Sequence, residues 1–421
     1  MLVTNDAVSF EKFHLYPTKG LLNDPNGLIF FKGQYHVFYQ WNPYACDHTY
    51  KEWGHFVSDD LKKWQRVETA LKPSLENLDS AGIYSGTAFV NDDRLYIFYT
   101  GNVRDISGHS VKSSQMWAVS DDGIQFKKLG ELFPHPNGFT KDVRDPMVWQ
   151  GKNGHYFLIL GAQHSNKMGD IIIYESIDFK NWSYRGSLIE NQLLDVRGYM
   201  LECPNFIEVD GKQILMFSPQ GLAADPKNNR YENIHNTGYV IGQFDEKSAR
   251  FNVITDFKEV DHGFEFYAPQ TMIAPDGRRI MWGWAGMMTP EREAAVPTIQ
   301  NRKWVHVLSL PRELHVNDKL QLVQQPITEI IDTTVLTSFD NVSIGQYRIP
   351  TTADWTIRLS DRAMLSRHHN KLVFERQQWE SGQVETRQLT GDLNNLLLIV
   401  DVDVIEVYTE DGLNAMTARW F

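Results

Sequence analysis

A strand-turn-strand phrase recurs five times along this chain, and repetition at a fixed period restricts a fold more than composition does. The copies read PNGLIFFKGQYHVFYQ from Pro25, GTAFVNDDRLYIFYTG from Gly86 and PMVWQGKNGHYFLILG from Pro146. PNFIEVDGKQILMFSP from Pro204 and PQTMIAPDGRRIMWGW from Pro269 complete the set. Each places two apolar runs around a short KG, DD, NG or DG turn, and a period of roughly 60 residues leaves room for one four-stranded unit per copy. An echo follows in four of the units: SDDLKKWQRV, SDDGIQFKKL, SIDFKNWSYRG and FDEKSARFNV. These read as outer hairpins whose aromatics, Trp64, Phe126, Trp182 and Phe251, fill the unit's own core. The expected fold is all-β, a five-bladed β-propeller.

In a ring of repeats, equivalent positions stand at equivalent distances from the axis. The residues just ahead of the copies are Asn23-Asp24, Tyr84-Ser85, Arg144-Asp145, Glu202-Cys203 and Tyr267-Ala268. A propeller therefore aims Asp24, Asp145 and Glu202 at one central pocket. A single Asp-Pro is ordinarily a turn, because Asp bonds its own backbone. Three acids at matched positions need another reason.

After WVHVLSLPREL the pattern changes. LHVNDKLQLVQQPITEIIDT reads as a connector, partly helical. From about Ser338, the short alternating runs VSIGQYRI, WTIRL, KLVFER and DVIEVYTEDG have the signature of a small antiparallel β-sandwich. The domains expected are a propeller over 1–305, a linker over 306–337 and a C-terminal sandwich over 338–421.

A chain of 421 residues, 42% hydrophobic and 12% aromatic, has enough apolar surface for a large core and two domains. Its formal charge of -12 argues against nucleic acid or an anionic membrane as partner. No run reaches the length of a membrane span, and MLVTNDAVSFEKFH lacks the layout of a signal peptide. With only two cysteines, Cys46 and Cys203, a reduced, cytoplasmic protein is expected. The sequons at Asn181 and Asn341 are then chance matches.

Crowded like charges in one pocket lose hydration and repel, so at least one carboxyl should hold its proton near neutrality. Split carboxyl pKa values are the usual machinery of glycoside cleavage, one group ionised to attack and one protonated to donate. Trp41, Trp53, Tyr84, Phe266, Tyr267 and Trp284 are candidate stacking faces for a sugar, while Asn23, Gln40, Asn42 and Arg144 are candidates to read its hydroxyls. Arg144 is also a candidate structural partner of Asp145. His36, His55 and His306 show no metal-ligand spacing and read as wall or core residues. Cys203 reads as a buried thiol packing the site. No phosphate-cradling glycine loop or serine elbow is present.

The motifs LLNDPNG, FYQWNP, WGH, YSGTA, RDP, ECPN, FYAPQT and LPREL occur in order from about His14 to Leu314. Together they resemble glycoside hydrolase family 32, and GYMLECPN, SPQGL and GFEFYAPQT are similar to that family's intracellular bacterial branch. The resemblance implies a five-bladed propeller followed by a β-sandwich, and a retaining enzyme that releases fructose without a metal or organic cofactor. It implies Asp24 as nucleophile, Glu202 as general acid/base and Asp145 as the residue that binds fructose hydroxyls in the transition state. Asn23, Gln40, Trp53, Ser85 and Arg144 fall at positions that resemble the fructose-binding wall. Substrates implied are sucrose, sucrose 6-phosphate or a short fructo-oligosaccharide; a fructan exohydrolase or fructosyltransferase is the neighbouring reading, and a sugar-binding propeller without catalysis the distant one. A phosphate dianion would need rim cations, for which His48, Lys51, Arg197 and His235 are candidates. Two features depart from the family pattern: Glu265 stands where aspartate is expected and is placed at the pocket edge, and the C-terminal part, about 85 residues, is short for the family's sandwich, which is expected to be incomplete or cut short.

Overall fold

The computed structural model describes residues 11–74, 77–340, 342–350 and 352–421. The stretch read for a signal segment therefore falls largely outside the described residues, as does the sequon residue Asn341. The chain is built almost entirely of β-strands, as the alternating runs predict. Among the described residues no helix is long and apolar enough to cross a membrane.

Five sheets follow one another up to Pro326, each an antiparallel meander that starts at one of the repeated phrases. Their leading strands are Gly20–Phe31, Gly82–Asn91, Phe139–Gln150, Met200–Val209 and Phe266–Ile273. These five strands touch in cyclic order, and the last lies against the first. Trp304–Val305 returns to pair in parallel with Gly20 and Leu21, tying a late segment to the first sheet. Middle strands such as Tyr156–His164 (YFLILGAQH) are apolar through Ala162 because both of their faces are covered by neighbouring sheets. The outer strand Lys127–Phe133 alternates exposed and half-buried residues, because one of its faces meets water.

The echo phrases are the turns before the outer strands. In the first, Ser58 Oγ accepts from the N–H groups of Asp60 and Leu61, and Asp60 Oδ1 accepts from Lys62 and Lys63. Asp122 and Asp178 repeat the arrangement in the second and third sheets. The aromatics that follow, Trp64, Phe126, Trp182 and Phe251, pack into the hydrophobic cores.

The connector expectation is corrected. Arg312–Val316 and Leu322–Pro326 are strands, and they pair in order beyond Arg279–Ala285 to complete the fifth sheet. Leu314 and Leu322 are buried, so HVNDKLQL is a hairpin with period-two burial around an Asn-Asp turn. Counting repeats to residue 305 left the fifth unit without its outer half. Of the helix expected in the connector only the 3-10 turn Thr328–Ile330 is present; the α-helices lie earlier, in Pro290–Ala294 and Pro297–Arg302, each opened by a proline at a position where a missing N–H costs nothing.

Two more sheets follow, one holding Gly345–Pro350, Asn395–Val400, Val404–Thr409 and Ala415–Arg419 in antiparallel order with Thr334–Val335 added in parallel at its edge, the other holding the antiparallel strands from Trp355 to Thr390. They share one core that includes Ile349, Trp355, Ile357, Leu365, Phe374, Leu398 and Val407. This part abuts the fifth sheet closely. Phe264 N–H donates to Thr417 O at 3.0 Å, and a Cβ on Gly263 would lie 1.8 Å from that same oxygen. Glycine is required there because the two backbones meet.

Candidate active site

All five leading strands break their register at the residues ahead of the repeated phrase. The shifts fall between Leu22 and Pro25, Tyr84 and Gly86, Arg144 and Met147, Glu202 and Asn205, and Tyr267 and Gln270. Asp145, Cys203 and Ala268 take positive φ of 65°, 47° and 46° at these points, a conformation L-residues rarely adopt. A bulge adds an unpaired residue and re-aims the side chains around it. The prolines that follow have no N–H to lose from the ladder. Repeat position thus becomes a ring of side chains around a cavity of about 490 Å³.

Asp24, Asp145 and Glu202 all line that cavity. Asp24 Oδ2 accepts from Ser85 Oγ at 2.5 Å and Gln40 Nε2 at 3.3 Å, while Oδ1 receives a single contact, 3.2 Å from Asn23 Nδ2. Oδ1 is therefore the less committed oxygen. Asp145 is 5% exposed and its Oδ2 accepts from the Cys203 N–H at 2.9 Å. Glu202 Oε1 accepts from Arg144 Nε at 2.8 Å, and Oε2 from Tyr267 Oη and Gln220 Nε2, both at 2.7 Å. Arg144 also reaches Asp142 at 2.9 Å, so its structural partners are Glu202 and Asp142.

The electrostatics follow from burial. Lost hydration, reinforced by the Glu202 charge, raises the Asp24 carboxyl above its ordinary range, although the Ser85 and Asn23 bonds pull it down. The same causes push Asp145 up to about 7. Burial also drives the Cys203 thiol well up, with help from the three acids, so it packs the site as a neutral group. Asp145 therefore takes up a proton near neutrality more readily than an ordinary carboxyl.

Of the proposed binding residues, Asn23, Gln40, Ser85, Arg144, Tyr267 and Trp284 line the cavity. Trp53 does not. It is fully buried behind the wall, and its indole N–H donates to Tyr84 O at 3.1 Å, holding Tyr84 at the surface of the cavity. Trp41 and Asn42 face the loop beyond their strand: Trp41 donates to Lys19 O, and Asn42 accepts from the Tyr44 and Ala45 N–H groups. Phe266 is core.

The rim cations divide. His48 and His235 line the cavity, but Arg197 is buried among the carbonyls of Glu190 and Gln192 and the carboxylate of Asp170. Lys51 lines the cavity from within, not at the rim: it is 3% exposed and donates to Asn23 Oδ1 at 2.5 Å. An ammonium group only donates, so the atom facing it is the oxygen, and Asn23 must turn its N–H₂ toward Asp24. Burial lowers Lys51 to about 7 against the pull of Asp24 and Glu293. Glu265 lies away from the pocket edge, bonded at 2.5 Å to Arg376 of the C-terminal sheets.

Gln220, Arg104 and Glu293 line the cavity without having been singled out. Gln220 had a legible signal. It ends the second strand of its unit, Lys212–Gln220, as Gln40 nears the end of Gln34–Asn42, so the repeat alone places both near the axis. Arg104 and Glu293 come from a long hairpin and a short helix outside the repeated phrases, and no such comparison was open for them.

Residues 14–326 match the model of the glycosyl hydrolases family 32 N-terminal domain. The sucrose-6-phosphate hydrolase of Bacillus subtilis (strain 168) is 36% identical over 442 residues, spanning 100% of this chain and 90% of that protein. That of Salmonella typhimurium is 35% identical, spanning 98% and 88%. Among solved structures, sucrose-6-phosphate hydrolase from Lactobacillus gasseri superposes with a TM-score of 0.83 at 29% identity, covering 98% of this chain and 88% of that one. A Bombyx mori GH32 beta-fructofuranosidase gives 0.79 at 29% identity, covering 98% and 89%. With the family model matched over most of its length and relatives aligned nearly end to end, the chain belongs to glycoside hydrolase family 32.

Proposed function

We propose that this protein hydrolyses sucrose or sucrose 6-phosphate, releasing the β-D-fructofuranosyl unit with retention of configuration. The observation that carries the reading is the unequal partnering of three carboxyls around one cavity. Asp24 keeps one lightly bonded oxygen, Oδ1, free to attack the anomeric C2 of fructose. As that bond forms, the C2–oxygen bond to the glucosyl group breaks, and the departing oxygen takes a proton from Glu202. Water then gives a proton back to Glu202 while its oxygen attacks C2, which frees Asp24 and fructose. Asp145, with its carboxyl set deep beside the other two, binds fructose hydroxyls. Asn23, Gln40, Ser85 and Arg144 orient the ring, and Tyr267 and Trp284 give it apolar faces. Trp53 acts behind this wall. No metal or organic cofactor is needed for these steps.

The architecture we infer is a five-bladed propeller followed by a β-sandwich. The cyclic contact of the leading strands and the closure by Trp304–Val305 support the first, and the core shared by the two last sheets supports the second. The boundary is best set after Pro326, not at 305, since the fifth sheet needs its strands to that point. A cytoplasmic setting fits sucrose 6-phosphate as substrate.

The deciding experiment runs sucrose and sucrose 6-phosphate in parallel, with methanol as competing acceptor. Release of fructose together with methyl β-D-fructofuranoside supports the double displacement. Methyl α-D-fructofuranoside would mean inversion, and no release from either sugar would overturn the assignment.

A further inference from the structure

One wall of the cavity belongs to a segment outside the repeated units. Met287, Met288, Pro290 and Glu293 all line it. Pro290–Ala294 is a five-residue helix, too short to be stable by itself, with Thr289 capping the Arg292 N–H at 3.3 Å. Something else must hold it.

The C-terminal sheets do. Arg292 Nε lies 2.8 Å from Glu380 Oε1, and Nη1 3.0 Å from Glu385 Oε1. Trp379 Nε1 donates to the Arg292 carbonyl at 2.9 Å, and the guanidinium sits 5.7 Å from the Trp379 ring centroid. The start of the same segment is tied as well. Gly286 and Met287 N–H donate to Glu265 O, while the Glu265 carboxylate takes Arg376 Nη2 at 2.5 Å and the Arg419 N–H at 2.8 Å. On the cavity side, Glu293 Oε1 stands 3.0 Å from His48 Nε2 and 2.8 Å from His306 Nε2. His48 lies edge-on to Trp284, which adjoins Tyr267, the hydroxyl partner of Glu202. Contacts thus run unbroken from the Glu380 hairpin to the proposed proton donor.

We propose that the hairpin carrying Trp379, Glu380 and Glu385 is a positioning element for the catalytic cavity, holding the wall Met287–Ala295 through Arg292 so that it grips the leaving group. The fructosyl subsite is built by the leading strands and does not depend on this clamp. The part concerning the leaving group rests on the fructosidase reading; the part concerning the wall does not.

Two measurements on the full chain separate these. The first is hydrogen exchange of the 287–295 amides in Arg292→Met, which leaves the repeated units intact. Exchange in that segment should rise at least about tenfold while the leading strands keep their protection. Unchanged protection there would overturn the clamp whatever the enzyme's activity. The second compares sucrose with methyl β-D-fructofuranoside, whose leaving group is too small to reach the wall. Arg292→Met should raise KM for sucrose about fivefold with kcat within about twofold, and leave the methyl fructoside unchanged. Equal losses on both substrates, or none on either, would overturn the proposal. Glu380→Gln removes a single ion pair on a partly exposed side chain and serves if Arg292→Met does not fold; it should shift the sucrose to methyl fructoside KM ratio in the same direction by about twofold. Arg292→Lys should recover part of the ratio. A wild type inactive on both sugars would instead refute the fructosidase reading, leaving the exchange result to judge the clamp.

Discussion

Acids at two places in this molecule are treated in opposite ways. Around the cavity, Asp24, Asp145 and Glu202 meet hydroxyls, amides and one another, with Arg144 spent on Glu202. Where the C-terminal sheets abut the fifth sheet, Asp261, Asp401 and Glu406 meet cations. His14 bridges Asp401 at 2.8 Å and Glu406 at 3.0 Å, and Arg312 bridges Glu406 at 2.8 Å and Asp261 at 2.9 Å, all essentially without solvent. Desolvation opposes ionisation in both places. At the interface the Arg312 and His14 charges overcome it and bring Glu406 down to about 2, while Asp401 and Glu406 hold His14 up at about 10 despite burial. In the cavity, burial wins and Asp145 rises to about 7. A compensated acid holds structure together. Asp145, with no cation bonded to its carboxyl, costs stability at a place where chemistry can use it.

The contrast breaks most sharply at single residues. Asp24→Ala should lower kcat by about 10⁴-fold or more, since it removes the attacking group, while the melting temperature holds or rises because a buried charge is relieved. Loss of fold in this variant would make Asp24 structural and erase the distinction. Arg312→Met should do the reverse. It strands Asp261 and Glu406, so denaturant unfolding should show a loss of about 3–5 kcal/mol, while kcat per folded molecule stays near wild type.

Titration sharpens the same comparison. Glu406 is depressed in the folded state, so its stabilisation is full above the unfolded value of about 4.3 and is lost as pH falls through about 2. His14 is raised, so its contribution is full below about 6.5 and is lost as pH rises through about 10. Asp145 is a raised acid: it favours folding at low pH and ceases to do so as pH rises through about 7. Asp145→Asn should therefore gain stability at pH 8 relative to wild type and none at pH 4, read from melting curves at the two values. A gain of equal size at both would show that its charge is not the cause. The smallest effect expected is in Lys51→Met. Loss of the ammonium frees the Asn23 amide to rotate and removes a cation from beside Asp24, so kcat should fall about tenfold and the acidic limb of the rate profile should move to higher pH. An unmoved limb would show that Lys51 does not act on Asp24.

The acid trio was legible because a repeat fixes depth as well as order, and bulges at matched positions turned that depth into side chains around one cavity. Trp53 belongs to a motif as distinctive as that of Asp24, yet it lies behind the wall, since strand alternation set its ring against the neighbouring sheet. Lys51 and Arg197 were both cations in plausible loops. Which of them faced the cavity depended on partners 28 residues away in one case and on nearby carbonyls in the other.

By itself the sequence determined the strand content, the repeat and the ring of acids, because period and turn chemistry act over a few residues and recur. Tertiary structure alone decided the end of the fifth sheet, the partners that set each acid's proton affinity, and the hold of the C-terminal sheets on the cavity wall. Those depend on contacts such as Arg312 with Glu406 and Arg292 with Glu385, 94 and 93 residues apart. Whether a buried charge is compensated is a property of its neighbours in space, and no local pattern encodes it.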